Sequence, residues 1–176
     1  TFGDIIKFPN IAAYYYPDQY ATAANTPTKV LWNGTSSLYG FTLNADNTAT
    51  ATYAGVYKIT YSLQIANSDN AAHDVIVWLR LNGNTSAADV ANSTTVFTVP
   101  ARKSAGVYSY ICAYSEVVFE VAAGDTIGLW WGTDLAATSG GALGTWIYSR
   151  AAQTTPMAYP ATPSAIGSIT FVSAPT

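Results

Sequence analysis

The stretch VYKITYSLQI, residues 56 to 65, decides the fold class because apolar and polar side chains alternate along its whole length. Successive side chains of a β-strand point to opposite faces, so a period of two is typical of a strand with one buried face. We therefore predict a strand here, with one row on the core and the other solvated or lightly covered. The predicted core row is Tyr57, Ile59, Tyr61, Leu63 and Ile65, and the opposite row is Lys58, Thr60, Ser62 and Gln64.

The flanking sequence contains more strands and almost no helix pattern. No window of a dozen residues has apolar positions at the spacing of a helix, and Gly, Thr, Ser and Asn interrupt the chain throughout. About ten short strands joined by turns indicate an all-β fold, namely a single-domain jelly-roll sandwich. We interpret residues 1–10 as an N-terminal arm or a frayed terminus and residues 11–176 as the domain. Besides 56–65, strands are predicted at 28–33, 38–43, 48–53, 73–83, 94–100, 107–121, 126–132, 145–149 and 165–172.

Two of these strands depart from simple alternation. In HDVIVWLRLNG, residues 73 to 83, Ile76 and Trp78 place apolar side chains on the row that should be polar, so both faces of this strand are expected to be covered. In VYSYICAYSEVVFEV, residues 107 to 121, the apolar positions change from even to odd numbers near Ser115. Such a change predicts a bulge, or a corner at which the strand passes between sheets.

The strand TIGLWWG, residues 126 to 132, contains two adjacent tryptophans that must point to opposite faces. Together with its neighbours at 127 and 129, Trp131 is expected to face the core, which leaves Trp130 outside. Gly128 lies on the outer row, where the missing side chain allows another group to approach the strand closely.

The stretch IAAYYYPDQYA, residues 11 to 21, sets three tyrosines side by side and does not alternate. Two interpretations are open for Tyr14, Tyr15 and Tyr16. Either both faces of this segment are covered, one of them by another chain, or the tyrosines form an exposed platform that binds a ligand such as a sugar.

Charge and composition exclude several classes of partner. Seven basic and ten acidic residues give a net charge of −3, which offers no basic surface to a phosphate backbone, so nucleic acid is not expected as a partner. No apolar run approaches the roughly 20 residues of a membrane span, and we expect no membrane partner. Only 10% of residues are charged, against about 25% in an ordinary soluble domain. A chain with so few charges is expected to cover part of its surface by assembly.

The residues that carry hydrolytic or metal chemistry are too few to form a site, so we expect neither an enzyme nor a cofactor. His73, the sole histidine, adjoins Asp74 on a strand, and neighbouring strand residues point apart, so we interpret His73 as a polar loop residue. Glu116 and Glu120 share a strand face about 13 Å apart, too far for a glycosidase pair. Cys112 is interpreted as a small buried residue. Calcium is a minor alternative, using oxygen atoms of Asp18, Asp46, Asp69, Asp89, Asp125 or Asp134.

Four motifs in sequence order resemble the jelly rolls of the tumour-necrosis-factor and complement globular-head superfamily. They are Gly55 with Tyr57 at a strand opening, Asn82-Gly83 at a strand end, Gly124-Asp125 before Trp130 or Trp131, and Gly167 with Phe171 in the last strand. The resemblance covers residues 11 to 173. The segment AYYYPDQYATAANTPTKVLWN, residues 13 to 33, together with this body also resembles structural proteins of tailed bacteriophages.

This resemblance implies a homotrimer that packs through aromatic outer faces and has a place on the virion. The expected function is a non-enzymatic structural protein that decorates or stabilises the bacteriophage capsid, as a cement, knob or head-fibre protein. The expected partners are further copies of the chain and the major capsid protein or another virion protein. The alternative is a receptor-binding module of a tail or fibre that binds host surface glycan through loops at 66–74, 84–93, 133–144 and 151–163. The residues assigned to core or intersubunit contacts are Tyr14, Tyr16, Ile76, Trp78, Tyr108, Tyr110 and Trp130.

Overall fold

The described residues form β-strands joined by turns, with a single turn of 3-10 helix. A computed structural model describes residues 7–139 and 141–175. No helix in these ranges is long and apolar enough to cross a membrane. The strands are β1 (Asn10–Tyr15), β2 (Thr28–Lys29), β3 (Gly34–Tyr39), β4 (Phe41–Leu43), β5 (Ala49–Ala51), β6 (Gly55–Asn67), β7 (His73–Leu81), β8 (Thr95–Val99), β9 (Ser109–Val121), β10 (Thr126–Thr133), β11 (Thr145–Ile147) and β12 (Ala165–Ser173), and the 3-10 turn is Ser86–Ala88.

The strands make two antiparallel sheets that pack face to face, which confirms the predicted all-β sandwich. The first sheet has the order β9, β6, β12, β1, β3, and β11 pairs with β6 beyond the end of β12. The second sheet has the order β4, β5, β10, β7, β8, and β2 pairs with β10 beyond β5. A core of aliphatic and aromatic side chains fills the space between the sheets.

The pairing of the strands is nested. β1 pairs with β12, β5 with β10, β6 with β9, and β7 with β8, so the earliest strands pair with the latest ones and the middle strands with each other. This pattern is the one expected when a long antiparallel ribbon folds over on itself, and it is compatible with a jelly-roll sandwich.

The alternation of β6 is confirmed, but the predicted change of phase in β9 is wrong. All five predicted core residues of β6 are buried. β9 pairs with β6 without a shift from Gly55–Val121 to Asn67–Ser109, and its odd-numbered residues face the core throughout. The bulge near Ser115 is absent because β6 is as long as β9 and pairs with every residue of it. Tyr110 and Tyr114 therefore point outward.

Several predicted strands are shorter or divided. The stretch 28–33 contains only the two-residue strand β2, and 38–43 is divided between β3 and β4. Gly40 separates these two strands with φ of +70°, a backbone conformation that glycine adopts without strain. Trp131, Ile127 and Leu129 are buried, as predicted.

The first six residues of the predicted arm lie outside the described residues. The last part of the arm packs on the body, since the ring of Phe8 stacks on Phe171 with centroids 5.8 Å apart. The Phe171 N–H donates to the carbonyl of Pro9 at 3.0 Å, and Asn10 already belongs to β1. The division into an arm and a domain stays a prediction.

Replacement of Leu63 in β6 tests whether packing between the two sheets stabilises the sandwich. Its side chain is fully buried between the sheets, whereas that of the preceding Ser62 points outward. We expect Leu63→Ala to lower the free energy of unfolding by about 2 to 5 kcal/mol, because it leaves a cavity in the core. Ser62→Ala should change it by less than about 0.5 kcal/mol. Urea denaturation measures both, and equal effects of the two changes would contradict the assigned facing of β6.

Candidate interaction surface

The outward side of the first sheet, which we call the first-sheet face, brings together residues from most of the chain. Tyr114 of β9 lies opposite Ser62 of β6, Ser62 opposite Ile166 of β12, and Ile166 opposite Tyr14 of β1. Directly paired side chains on one face of a sheet lie about 5 Å apart. The four residues therefore form a row across the sheet, with rings at its two ends.

The centre of the first-sheet face carries small uncharged side chains. In the row beside the first, Thr60 and Ser168 are hydrogen bonded through their hydroxyls at 2.6 Å, and Ala12 lies next to Ser168. Small side chains allow another surface to approach the backbone of the sheet closely. One exposed ion pair lies on this face, between Lys58 and Glu116 at 3.7 Å.

Large apolar side chains on the same face are exposed to solvent. An antiparallel sheet with one solvated side normally places polar residues on that side. Here Ile166 is 47% exposed in the middle of the sheet, and Val118 of the edge strand β9 is 52% exposed. Clustered apolar side chains of this kind mark interaction sites. The exposed members are Tyr110, Tyr114, Val118, Ile166 and Val172.

The three adjacent tyrosines point to different surroundings. Tyr15 packs against the main core, whereas Tyr14 lies on the first-sheet face. The ring of Tyr14 covers Gly34, where a Cβ atom would lie 2.5 Å from the ring. Tyr16 is exposed and contacts the ring of Tyr14 edge-on at 5.4 Å. One tyrosine therefore belongs to the core and two belong to the outer surface.

On the outward side of the second sheet, which we call the second-sheet face, the chain's own charged side chains cover the tryptophan rings. Ile76 and the paired Val96 are exposed there, so the prediction that both faces of β7 are covered is wrong at Ile76. The guanidinium of Arg80 lies 4.2 Å from the ring centroid of Trp130 and 5.5 Å from that of Trp78. Asp89 accepts hydrogen bonds from Arg80 Nε at 2.6 Å and from Trp78 Nε1 at 2.8 Å. The hydrogen bond from Arg80 also holds the pKa of Asp89 below its usual value. As a result, Trp130 is only 8% exposed although it points outward.

Gly128 has the close neighbour that its sequence position predicts. A Cβ atom there would lie 3.2 Å from Nε1 of Trp130, so the indole ring extends back over the glycine. On its other side the ring meets the ammonium group of Lys29 at 5.5 Å, and Lys29 is paired with Asp46 at 3.1 Å. The group that approaches Gly128 closely is therefore the side chain of Trp130, which belongs to the same strand.

The seven predicted contact residues do not lie on one surface. Tyr14, Tyr16 and Tyr110 belong to the outward side of the first sheet or its margin, whereas Ile76, Trp78 and Trp130 belong to the second-sheet face. Tyr108 belongs to neither, because it packs edge-on against Trp146 at 5.2 Å. Their assignment to core or intersubunit contacts stays a prediction. Sequence reasoning missed Tyr114, Val118, Ile166 and Val172.

His73 is the first residue of β7, and its ring lies between two carboxylates. Nε2 is 3.0 Å from Oδ2 of Asp69, and Nδ1 is 3.2 Å from Oδ1 of Asp134. Asp74 does not orient the ring, as predicted, and accepts a hydrogen bond from Thr98 instead. Burial disfavours the charged imidazole, but the hydrogen bonds and charges of the two carboxylates outweigh it and raise the pKa of His73.

The other candidate chemical groups are engaged or dispersed. Among the described residues, no three His, Cys, Asp or Glu side chains are placed to hold a metal ion. Asp18 accepts hydrogen bonds from the backbone and hydroxyl of Ser149, and Asp125 accepts one from Asn82. Cys112 is exposed on the first-sheet face, so the prediction that it is buried is wrong. Glu116 and Glu120 lie on the exposed row of β9, as predicted.

Comparison with known proteins adds no family: no family model matches the chain, and none of the curated proteins matches it.

Replacement of His73 tests the role of the two carboxylates. Because the folded state raises its pKa, the stabilisation from protonated His73 is complete below about pH 6.5, the ordinary pKa of histidine, and is lost as pH rises through the folded pKa. We expect wild type to exceed His73→Gln in denaturation midpoint by more at pH 6 than at pH 8. His73 is the sole histidine, so no second imidazole titrates between pH 6 and 8. A difference independent of pH would contradict the ion pairs.

Proposed function

We propose that this chain is a non-enzymatic virion structural protein that assembles as a homotrimer through its first-sheet face and decorates or stabilises a bacteriophage capsid. The observation that carries the proposal is the row in which exposed Tyr114 and Ile166 and half-buried Tyr14 lie beside small residues. A surface of this composition is suited to contact with a second protein surface, because it is apolar at its margin and sterically open at its centre.

The strand pairing supports a jelly roll of the tumour-necrosis-factor type as the fold of each subunit. The nested pairs bring the first and last strands, β1 and β12, side by side in the middle of the first sheet. Three of the four motifs that carry the resemblance lie at the opening of β6, just after β7 and just before β10, and the fourth, Gly167 with Phe171, lies within β12. The resemblance to this superfamily supplies the threefold assembly that we propose.

The contrast between the two outer faces supports the first-sheet face as the proposed assembly surface. On the second-sheet face, Arg80 and Lys29 lie over the tryptophan rings, and the carboxylates paired with them, Asp89 and Asp46, are the charges exposed to solvent. On the first-sheet face, no cation among the described residues lies over the rings of Tyr14 and Tyr114, whereas Arg150 lies over that of Tyr110 at the end of the face. Covering the exposed half of an aromatic side chain, about 100 Å², contributes roughly 2 to 3 kcal/mol at about 25 cal/mol per Å², before the cost of ordering. A few such contacts per subunit are sufficient to hold an oligomer.

The segment that resembles phage structural proteins is an integral part of the fold. Residues 13–33 provide part of β1, all of β2 and the side chain of Asp18, which also accepts a hydrogen bond from Trp146 Nε1 at 3.2 Å. Gln19 pairs with Ile147 through two backbone hydrogen bonds of 2.8 and 2.9 Å. This integration supports treating the segment and the body as one structural module of a virion.

The surroundings of His73 support a role without catalysis. General-base activation of a serine or cysteine requires a ring nitrogen that faces the nucleophile. Both ring nitrogens of His73 face carboxylates, those of Asp69 and Asp134. The imidazole therefore joins two loops electrostatically, and we assign it a structural role.

Two isoleucine substitutions on opposite outer faces test the assembly surface. Ile166 on the first-sheet face and Ile76 on the second-sheet face are 47% and 39% exposed, so neither substitution disturbs the core. We expect wild type to be a trimer in native mass measurement. Ile166→Lys should shift it to monomer, because a charge would be buried in the interface, and Ile76→Lys should remain trimeric. A monomeric wild type, or dissociation by Ile76→Lys alone, would contradict the proposal.

Binding to capsids tests the place on the virion. Purified protein is mixed with empty bacteriophage capsids and, separately, with host cells. We expect binding to capsids that saturates at a fixed ratio to the capsid protein. Saturable binding to cells without binding to capsids would contradict capsid decoration and favour the receptor-binding module.

A further inference from the structure

A cleft opens at the end of the first-sheet face, where β6 ends and β9 begins. It has a volume of about 430 Å³, within the range of small-molecule sites in proteins. One wall comes from β6 and β9, and the other from the segment 148–162 between β11 and β12. Backbone hydrogen bonds between Arg150 and Thr162 and between Gln153 and Tyr159 fix that segment at 2.8 to 3.1 Å. The polar, charged and large side chains of the lining include Gln64, Tyr110, Tyr148, Arg150, Met157 and Tyr159.

Arg150 is the cationic group of this cleft, and aromatic rings hold it in place. Its guanidinium lies 5.4 Å from the ring centroid of Tyr110 and 5.9 Å from that of Tyr148, and these two rings contact each other at 5.2 Å. The phenol oxygens of Tyr159 and Tyr148 favour the charged form and raise the pKa of Arg150 further. Rings that hold a guanidinium in this way leave N–H donors free to bind an anion.

Arg150 has no carboxylate partner among the described residues, as is also true of Lys7, Arg102 and Lys103, whereas the three cations within strands are paired. Lys29, Lys58 and Arg80 are each within 3.7 Å of an acidic side chain. In a chain with ten acidic and seven basic residues, a cation that is held by rings and left without an acid is available for an anion from outside. Planar bidentate binding of a carboxylate is the contact that a guanidinium makes best.

We propose that the Arg150 cleft binds a carboxylate-bearing saccharide, with Arg150 paired to the carboxylate and the tyrosine rings against the sugar. Pyranose rings have apolar C–H faces that pack on aromatic rings, and Tyr110 and Tyr148 provide such surfaces beside the cation. The amide of Gln64 and the phenol of Tyr159 lie in the same lining and supply hydrogen bonds for hydroxyl groups.

The composition of the cleft favours this class of ligand over two others. A neutral sugar would leave the guanidinium without its anion, and a compact anion such as phosphate would leave the tyrosines and Met157 without a partner. The inference does not rest on the proposed trimer or on the virion, since every residue of the lining comes from one chain and Tyr110, which also belongs to the first-sheet face, lies at the end of that face. A failed binding test therefore leaves the assembly proposal standing, and the reverse also holds.

The test compares two matched sugars on the full chain. Methyl glucuronide and methyl glucoside differ only at C6, which is a carboxylate in the first and a hydroxymethyl group in the second. NMR titration gives a dissociation constant for each. We expect the glucuronide to bind and the glucoside to bind at least about tenfold more weakly, which is ~1.4 kcal/mol. Arg150→Gln should weaken glucuronide binding at least tenfold, and Tyr159→Phe should weaken it by a smaller factor. Denaturation midpoints verify that both variants are folded.

Lys7→Gln provides the matched control, because Lys7 also lies over a tyrosine ring, that of Tyr39 at 5.7 Å, but outside this cleft. Its glucuronide affinity should equal that of wild type. Equal binding of the two sugars, displacement of the glucuronide by inorganic phosphate at equal concentration, unchanged affinity of folded Arg150→Gln, or no detectable glucuronide binding would each overturn the inference.

Discussion

The pairing of β6 with β9 is the constraint on which the rest of the structure depends. The two strands are thirteen residues long and remain in one register over their full length. A shift of one residue would turn every side chain of β9 to the opposite face. The unbroken register therefore fixes which row of β9 packs on Tyr57, Tyr61 and Leu63, and it also fixes which row carries rings into the solvent. Core and outer surface follow from the same set of hydrogen bonds.

Alternation alone predicts a strand well when one row is strongly apolar and the other is clearly polar. β6 meets this condition, and its core row is correct at every position. β9 does not, because tyrosine has an apolar ring and a polar hydroxyl and is stable on either face. Tyr110 and Tyr114 resemble a core row as closely as Val117 and Val121 do. Only the partner strand, which is distant in sequence, decides between the two rows.

The sequence predicts that aromatic rings lie on an outer surface of the fold, but it does not predict which of the two outer faces carries them. Abundant aromatic residues and sparse charges indicate that rings lie on a surface, and Tyr14 and Tyr110 are among them. Which rings are covered depends on contacts distant in sequence. The cover of Trp130 requires Arg80 from the neighbouring strand, and Arg80 in turn requires Asp89, which the chain places there by folding back after β7. No local period contains that information.

β11 and β12 pair with successive stretches of the same edge of β6. The segment between them, which lines the Arg150 cleft, therefore lies outside the ladders that form the sheets. The intervening segment leaves the sheet at Ile147 and returns at Ala165, so a single strand anchors both of its ends. Lengthening such a loop costs little free energy, and its sequence is free of the register of either sheet. Changes in the sequence or length of this segment are therefore expected to alter the cleft while the strand pairing of both sheets is retained.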